Sequence, residues 1–223
     1  MNTKHKKPTL TKKQRHKLRV QQVRRQKIFL TCLFLLIVGC ILLRFSKFSG
    51  RQEEAHQINA ACEAYRDEVS SEAAQYDMSD YVDLLLAVMM QESSGQGTDP
   101  MQSSEGAYNT RYPQQPNGIT DPSYSISCGI QELKYALDKA GCTGPTDLSK
   151  IRLALQAYNF GADSYFAYLE ENGQTVWTAQ SAQAFAQMAS GGTQRDEDDP
   201  LHDPAGPWDY GDQYYPDHVL RYY

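Results

Sequence analysis

The 223-residue chain reads as a mostly α domain preceded by a single N-terminal transmembrane helix. Three observations carry that reading. Sixteen consecutive uncharged residues, 28–43 (IFLTCLFLLIVGCILL), follow a basic run. Beyond residue 58 apolar residues recur at helical spacing. Ser, Thr, Asp and Gly stand where such helices would begin and end.

Charge is segregated along the chain. Residues 1–27 hold eleven Lys/Arg and no acid, whereas residues 52–223 hold eight Lys/Arg against all 27 acids, a net charge of −19. A surface that acidic repels phosphate backbones, so no nucleic-acid partner is expected. The basic run is the ordinary companion of a first spanning helix and sets the N-terminus inside. Sixteen residues fall short of the roughly 20 that a span needs. Arg44 and Lys47 can snorkel, however, and Phe45 and Phe48 extend the apolar surface. The expected organisation is a basic cytoplasmic tail over 1–27, a lipid-embedded helix over 28–48, a polar stalk over 49–57 and an extracellular domain over 58–223. Two rival readings of the apolar run stay open. A cleaved signal peptide lacks a nearby small-x-small site. Lipidation at Cys40, in the lipobox-like Ile37-Val38-Gly39-Cys40, is at odds with the apolar continuation Ile41-Leu42-Leu43.

In the exterior part, the Ala- and Glu-rich stretch 58–75 predicts a helix. Ser79 or Asp80 can cap a second, running through Tyr81, Leu85 and Val88 to Glu92. Residues 94–122 are rich in Gly, Pro, Asn and Ser, a loop of a length that is usually functional. Helical patterning resumes over 123–139 and is closed by Gly141. After Asp147, Leu148, Ile151, Leu155 and Tyr158 fall at i, i+3, i+7 and i+10. Helices over 163–171, stopped by Asn172-Gly173, and over 179–189, capped by Thr178, complete the set. Residues 193–207 read as an acidic, Pro-rich connector. The tail 210–223 carries five Tyr, too aromatic to float, and is expected to dock. Cys62, Cys128 and Cys142 are an odd set, so a full disulfide framework is excluded. A Cys128–Cys142 bridge and unpaired core thiols both stay open.

Tyr81, Leu85, Val88 and Glu92 are spaced 4, 3 and 4 and share one helical stripe. A carboxyl continuing a buried stripe is desolvated, keeps its proton near neutral pH and can act as general acid toward a glycosidic oxygen. The plainer alternative is a Glu92 solvated at the helix end. Glycosidases commonly pair such an acid with a second carboxylate. Asp99, in the loop seven residues on, is the nearest candidate. With solvent access it would stay ionised and stabilise positive charge or activate water; it is equally suited to a turn before Pro100. H-E-x-x-H, C-x-x-C, G-x-S-x-G and P-loop motifs are missing, so neither metal nor cofactor is expected. His202 with His218 makes a weak metal site, and a Cys128–His218 thiol pair is disfavoured by the mid-helix setting of Cys128.

A-V-M-M-Q-E-S-S-G (87–95), S-C-G-I-Q (127–131) and Q-A-Y-N-F-G (156–161), in that order, resemble the signature of the goose-type lysozyme and lytic transglycosylase superfamily. D-P-M-Q-S-S-E-G (99–106), I-T-D-P-x-x-S-I (119–126) and Y-G-D-x-x-Y-x-x-H-V-L-R-Y-Y (210–223) are similar to the CwlT-like lysozyme domain of cell-wall hydrolases from Gram-positive conjugative elements. The resemblance implies a lysozyme-like α fold with Glu92 as general acid and Asp99 as second acidic position. It makes Gln131, Tyr158 and Asn159 cleft residues that hold the sugar chain and orient the acid. Gln102, Ser103, Ser104 and Glu105 match a loop motif without individual roles. Tyr108, Tyr112 and Tyr158 are candidates for stacking on sugar rings or for core packing. No cysteine-peptidase domain follows the tail, so cleavage of peptide crosslinks is not expected. The implied protein is a membrane-anchored, outward-facing muramidase acting on peptidoglycan glycan strands beside conjugation or secretion channel proteins. A lytic transglycosylase and a catalytically silent glycan-binding scaffold are the alternatives.

Overall fold

The computed structural model describes residues 57–199 and 202–223, all within the unit Ala55–Tyr223. The basic tail, the expected transmembrane helix over 28–48 and nearly all of the stalk lie outside the described residues. No helix among the described residues is long and apolar enough to cross a membrane.

The described residues fold into α-helices joined by turns, with one isolated antiparallel bridge between Gln194 and Trp208. The expected helix over 58–75 is two. Helix α1 (Ala60–Glu63) is capped by the Asn59 side chain, which accepts from Cys62 N, and α2 spans Arg66–Ala74. At the junction Tyr65 N bonds the carbonyl of Cys62, three residues back, and this tightened turn breaks the α ladder. Ser79 and Asp80 do not cap the next helix. They belong to a 3-10 turn, Ser79–Tyr81, that feeds into α3 (Val82–Ser93), whose N-cap position falls on Tyr81. Leu84 through Met89 are all fully buried, so α3 is apolar around its whole circumference and runs through the core.

Helix α4 (Pro122–Ala140) starts with Pro122 behind Asp121, whose carboxylate accepts from Ser123 N and Tyr124 N, and ends at left-handed Gly141. Asp147 caps α5 (Leu148–Phe160), α6 is Ala162–Glu171, and Thr178 with Ser181 forms a reciprocal cap on α7 (Ala179–Ala189). The last helix, α8 (Tyr215–Leu220), buries Tyr215 and Val219. α5 packs on α4, α6 and α8, while α8 also meets α3. The tail is therefore part of the core. Tyr210 joins an aromatic cluster with Phe160 (ring centroids 5.6 Å apart) and Phe185 (5.8 Å). The 193–207 connector is tied to the tail by Arg195 N to Pro207 O and Asp209 N to Thr193 O, both 2.9 Å. Cys62, Cys128 and Cys142 are free thiols, two of them buried, which resolves the disulfide alternative in favour of unpaired residues.

Gly129 marks where α4 meets the long loop. A Cβ there would stand 2.6 Å from Met101 Cβ, closer than carbon atoms tolerate. Gly129→Ala is expected to destabilise the domain by about 1–3 kcal/mol through overpacking. Thermal denaturation checks this, and an unchanged midpoint would contradict the packing account.

Candidate active site

Helix α3 turns from core to chemistry in its last turn, where Gln91, Glu92 and Ser93 are half-buried. Glu92 opens onto a cavity of about 560 Å³ that is also lined by Gln102, Asn159, Asp212, Tyr215 and His218. Tyr215 Oη donates to Glu92 Oε1 at 2.5 Å. Burial pushes the Glu92 pKa up to about 7; the Tyr215 hydrogen bond pulls it down, while the charges of Asp212 and Asp99 add to the rise. Burial also pushes the Tyr215 hydroxyl well above its ordinary range, so it stays protonated and donates. Glu92 is thus half-buried and held by Tyr215, not free on an open helix end.

The sign of the Tyr215 effect can be tested. A hydrogen bond to the charged carboxylate favours that form, so its removal raises the pKa of Glu92 further. In Tyr215→Phe the high-pH limb of any activity that needs protonated Glu92 is expected to move to higher pH. A kcat/KM–pH profile measures it, and a limb that stays put or moves down would refute the assignment.

Asp99 departs from expectation. It is 1% exposed, without the solvent access anticipated for a loop carboxylate. Its Oδ1 accepts from Ser103 N (3.1 Å) and Ser125 Oγ (2.6 Å), and its Oδ2 from Ser104 N (3.2 Å) and the Ser104 hydroxyl. Four donors need an internal anion, and the loop wraps around it. Ser103 and Ser104 are buried with it. Ser103 Oγ donates to Ser125 O (2.9 Å), and Ser104 Oγ accepts from Ile119 N (2.8 Å), so their hydroxyls close the loop. Gln102 alone of this trio reaches the Glu92 cavity, from a left-handed backbone (φ 47°). Its amide is steadied by Asp99 O (3.0 Å) and Asn117 Oδ1 (2.9 Å).

Gln131 is not in this cavity. It donates to Ser127 O (3.1 Å) and lines a separate pocket with Tyr76, Tyr108, Arg111 and Tyr124. It lies two residues past Gly129, the position facing Met101, hence about 200° around the helix. Tyr112 pairs with Tyr124, ring centroids 5.5 Å apart. Tyr158 and Asn159 act through the tail. Tyr158 Oη donates to Met101 O (2.7 Å), and its ring stacks on Tyr215 at 6.3 Å. Asn159 Oδ1 accepts from Asp212 N (2.7 Å), while Gln156 Nε2 donates to Asp212 O (2.8 Å). The Q-A-Y-N helix thus grips the peptide unit on both sides of Asp212 and stacks behind the tyrosine that holds Glu92.

Asp212, Tyr215 and Arg221 belong to this site without being singled out by the sequence reading, and His218 is weighed there only as a weak metal ligand or thiol partner; the Y-G-D-x-x-Y-x-x-H run is the available signal. His218 Nδ1 lies 2.5 Å from Asp212 Oδ2, and that hydrogen bond raises the imidazole pKa. Arg221 Nη2 donates to Gln91 Oε1 at 2.9 Å. Among the described residues no His/Cys/Asp/Glu cluster could hold a metal ion.

A family model described as Lysozyme-like matches residues 60–223. The chain is 35% identical over 173 residues to the bifunctional muramidase/DL-endopeptidase CwlT of Bacillus subtilis, covering 78% of this chain and 43% of that protein. It is 39% identical over 111 residues to the uncharacterized membrane protein YocA of the same organism, covering 50% of this chain and 45% of YocA. The chain therefore spans less than half the length of these two relatives. A crystal structure described as similar to a lipoprotein of the NLP/P60 family, from Staphylococcus aureus, superposes with a TM-score of 0.62 at 28% identity, covering 75% of this chain and 54% of that one.

Proposed function

Because the chain belongs to the lysozyme-like family, we propose that it is a muramidase cutting the β-1,4 bond between N-acetylmuramic acid and N-acetylglucosamine in peptidoglycan. The observation that carries this reading is the half-buried Glu92, hydrogen-bonded by Tyr215 in a cavity large enough for a sugar. Glu92 gives its proton to the leaving oxygen as the bond breaks. The negative charges of Asp99 and Asp212, both felt by Glu92, favour the oxocarbenium-like cation that develops. Asp99 acts from inside the loop it organises; Asp212 acts from the cavity wall. Gln102 and Tyr215, the latter backed by the Tyr158 ring, bound the space the sugar would take.

Residues 28–48 anchor the enzyme in the membrane on this reading, with residues 1–27 in the cytoplasm and the domain outside. From there it opens the wall locally for a conjugation or secretion channel. The basic run before the apolar segment supports the topology.

The burial of Asp99 favours a second reading, lytic transglycosylation, because it removes the solvent-exposed carboxylate that argued for an attacking water. There Glu92 serves as acid and then base, and the muramic 6-hydroxyl attacks in place of water. Mass spectrometry of digested wall fragments separates the two. Reducing muramic ends are expected, and anhydromuramic ends would overturn hydrolysis.

A further inference from the structure

The cavity beside Glu92 gathers basic side chains in a domain that has few. Of the eight Lys/Arg in residues 52–223, Arg195 and Arg221 line it, together with both described histidines, His202 and His218. Two of these side chains have buried nitrogens with no hydrogen-bond partner among the described residues: Arg221 Nε and His202 Nδ1. Native folds rarely bury such a nitrogen without a partner; both atoms are shielded from solvent as they stand, so an acceptor bound in the cavity would reach Arg221 Nε, or His202 Nδ1 in the tautomer that carries its proton there, after a small side-chain shift. The acids of the cavity are already engaged. Asp212 holds His218 through Oδ2 and accepts from Tyr214 N (2.8 Å) through Oδ1. Asp203 Oδ1 accepts from Ala205 N (2.8 Å), and Glu92 accepts from Tyr215. Arg195 is anchored on Gly211 O (2.9 Å) and Asp209 (3.5 Å) and contributes its charge from there. Arg221 presents a planar fork suited to a carboxylate, with Nη2 set on Gln91.

We propose that this cavity is a carboxylate subsite, which on the muramidase reading receives a free carboxylate of the peptide carried on the muramic lactyl arm. The lactyl oxygen is on the same ring as the anomeric carbon that Glu92 would serve. A peptide on it therefore leaves the glycan within one sugar of these basic groups. The surrounding negative charge of the domain works against extended polyanions, whereas a local group of N–H donors accepts a single carboxylate.

The test separates binding from cleavage. The full chain carrying Glu92→Gln is titrated calorimetrically with a disaccharide-peptide fragment, either native or with its carboxylates converted to methylamides. The native fragment is expected to bind at least about tenfold tighter, as a charged hydrogen bond implies. Adding Arg221→Gln or His202→Gln is expected to erase that preference while leaving the methylamide affinity unchanged. Circular dichroism checks that each variant is folded, and either variant alone suffices. Equal affinity for the two fragments overturns the subsite, as does a preference that survives both substitutions. Displacement of the native fragment by a glycerol-phosphate polymer at equal carboxylate and phosphate concentration also overturns it, in favour of a wall-polymer site. A chain that discriminates the fragments while its Glu92 parent cuts no wall would leave the subsite standing and remove the muramidase reading alone.

Discussion

Glu92→Gln is expected to lower wall-lytic activity by about 10²–10⁴-fold, the range that a positioned general acid supplies. The amide keeps the shape and the Tyr215 contact but cannot deliver a proton. The same substitution carries a stability signature of opposite sign. Folding raises the Glu92 pKa from the ordinary carboxylate range to about 7, so between those values the native state binds more protons than the unfolded chain. Stability contributed by this group is therefore present at low pH and lost as pH rises through that window. Glu92→Gln escapes the loss. The variant is expected to melt higher than the parent at pH 8 and close to it at pH 4.5. Lysis of purified walls and calorimetric melting at the two pH values check both halves. Retained lysis, or a variant less stable than the parent at pH 8, would refute the acid role or the burial on which it rests.

Asp99→Ala is expected to produce the largest structural effect. It strips the acceptor from Ser103 N, Ser104 N and the hydroxyls of Ser104 and Ser125, all buried. Unsatisfied buried donors cost about 1–3 kcal/mol each before relaxation. A net loss of about 3 kcal/mol is expected once the loop rearranges, and with it a melting point lower by roughly 10 °C. Activity is expected to fall as well, because Gln102 is placed by the same loop. Hydrogen exchange resolved to residues 99–125 reads the effect directly. A variant with native protection there would show that the carboxylate does not organise the loop.

Local features of the fold were legible in the sequence because they are written in neighbouring residues. Thr178, Asp147 and Gly141 act within one turn of themselves, and each helix they start or stop lies within a residue or two of its expected bound. The break at Tyr65 left no such mark, since Ala and Glu suit either side of it. Glu92 is legible through its motif more than through its stripe, because Leu84–Met89, earlier in the same helix, are buried regardless of face. Asp99 is legible as a position but not as a buried one. A Gly- and Ser-rich segment suggests exposure, yet its hydroxyls and amides close around an anion that gives them their bonds. Gln131 and Gln102 both follow an apolar residue in a glutamine-bearing motif, yet Gln131 is carried by α4 to a separate pocket while Gln102 enters the Glu92 cavity from a left-handed loop residue. Asp212 and Tyr215 could not be paired with Glu92 by pattern, because nothing periodic links positions more than a hundred residues apart.

That separation has a consequence for the order of events. The bond between Tyr215 and Glu92 spans 123 positions, so the acid is synthesised long before the phenol that holds it. A chain emerging from the ribosome or a translocon carries Glu92 early, without the Tyr215 hydroxyl or the Asp212 charge. Loop closure over that distance is an entropically late step of folding. On the muramidase reading, competence to cut is thereby deferred until the last tyrosines have been made and docked, a timing safeguard built into connectivity alone.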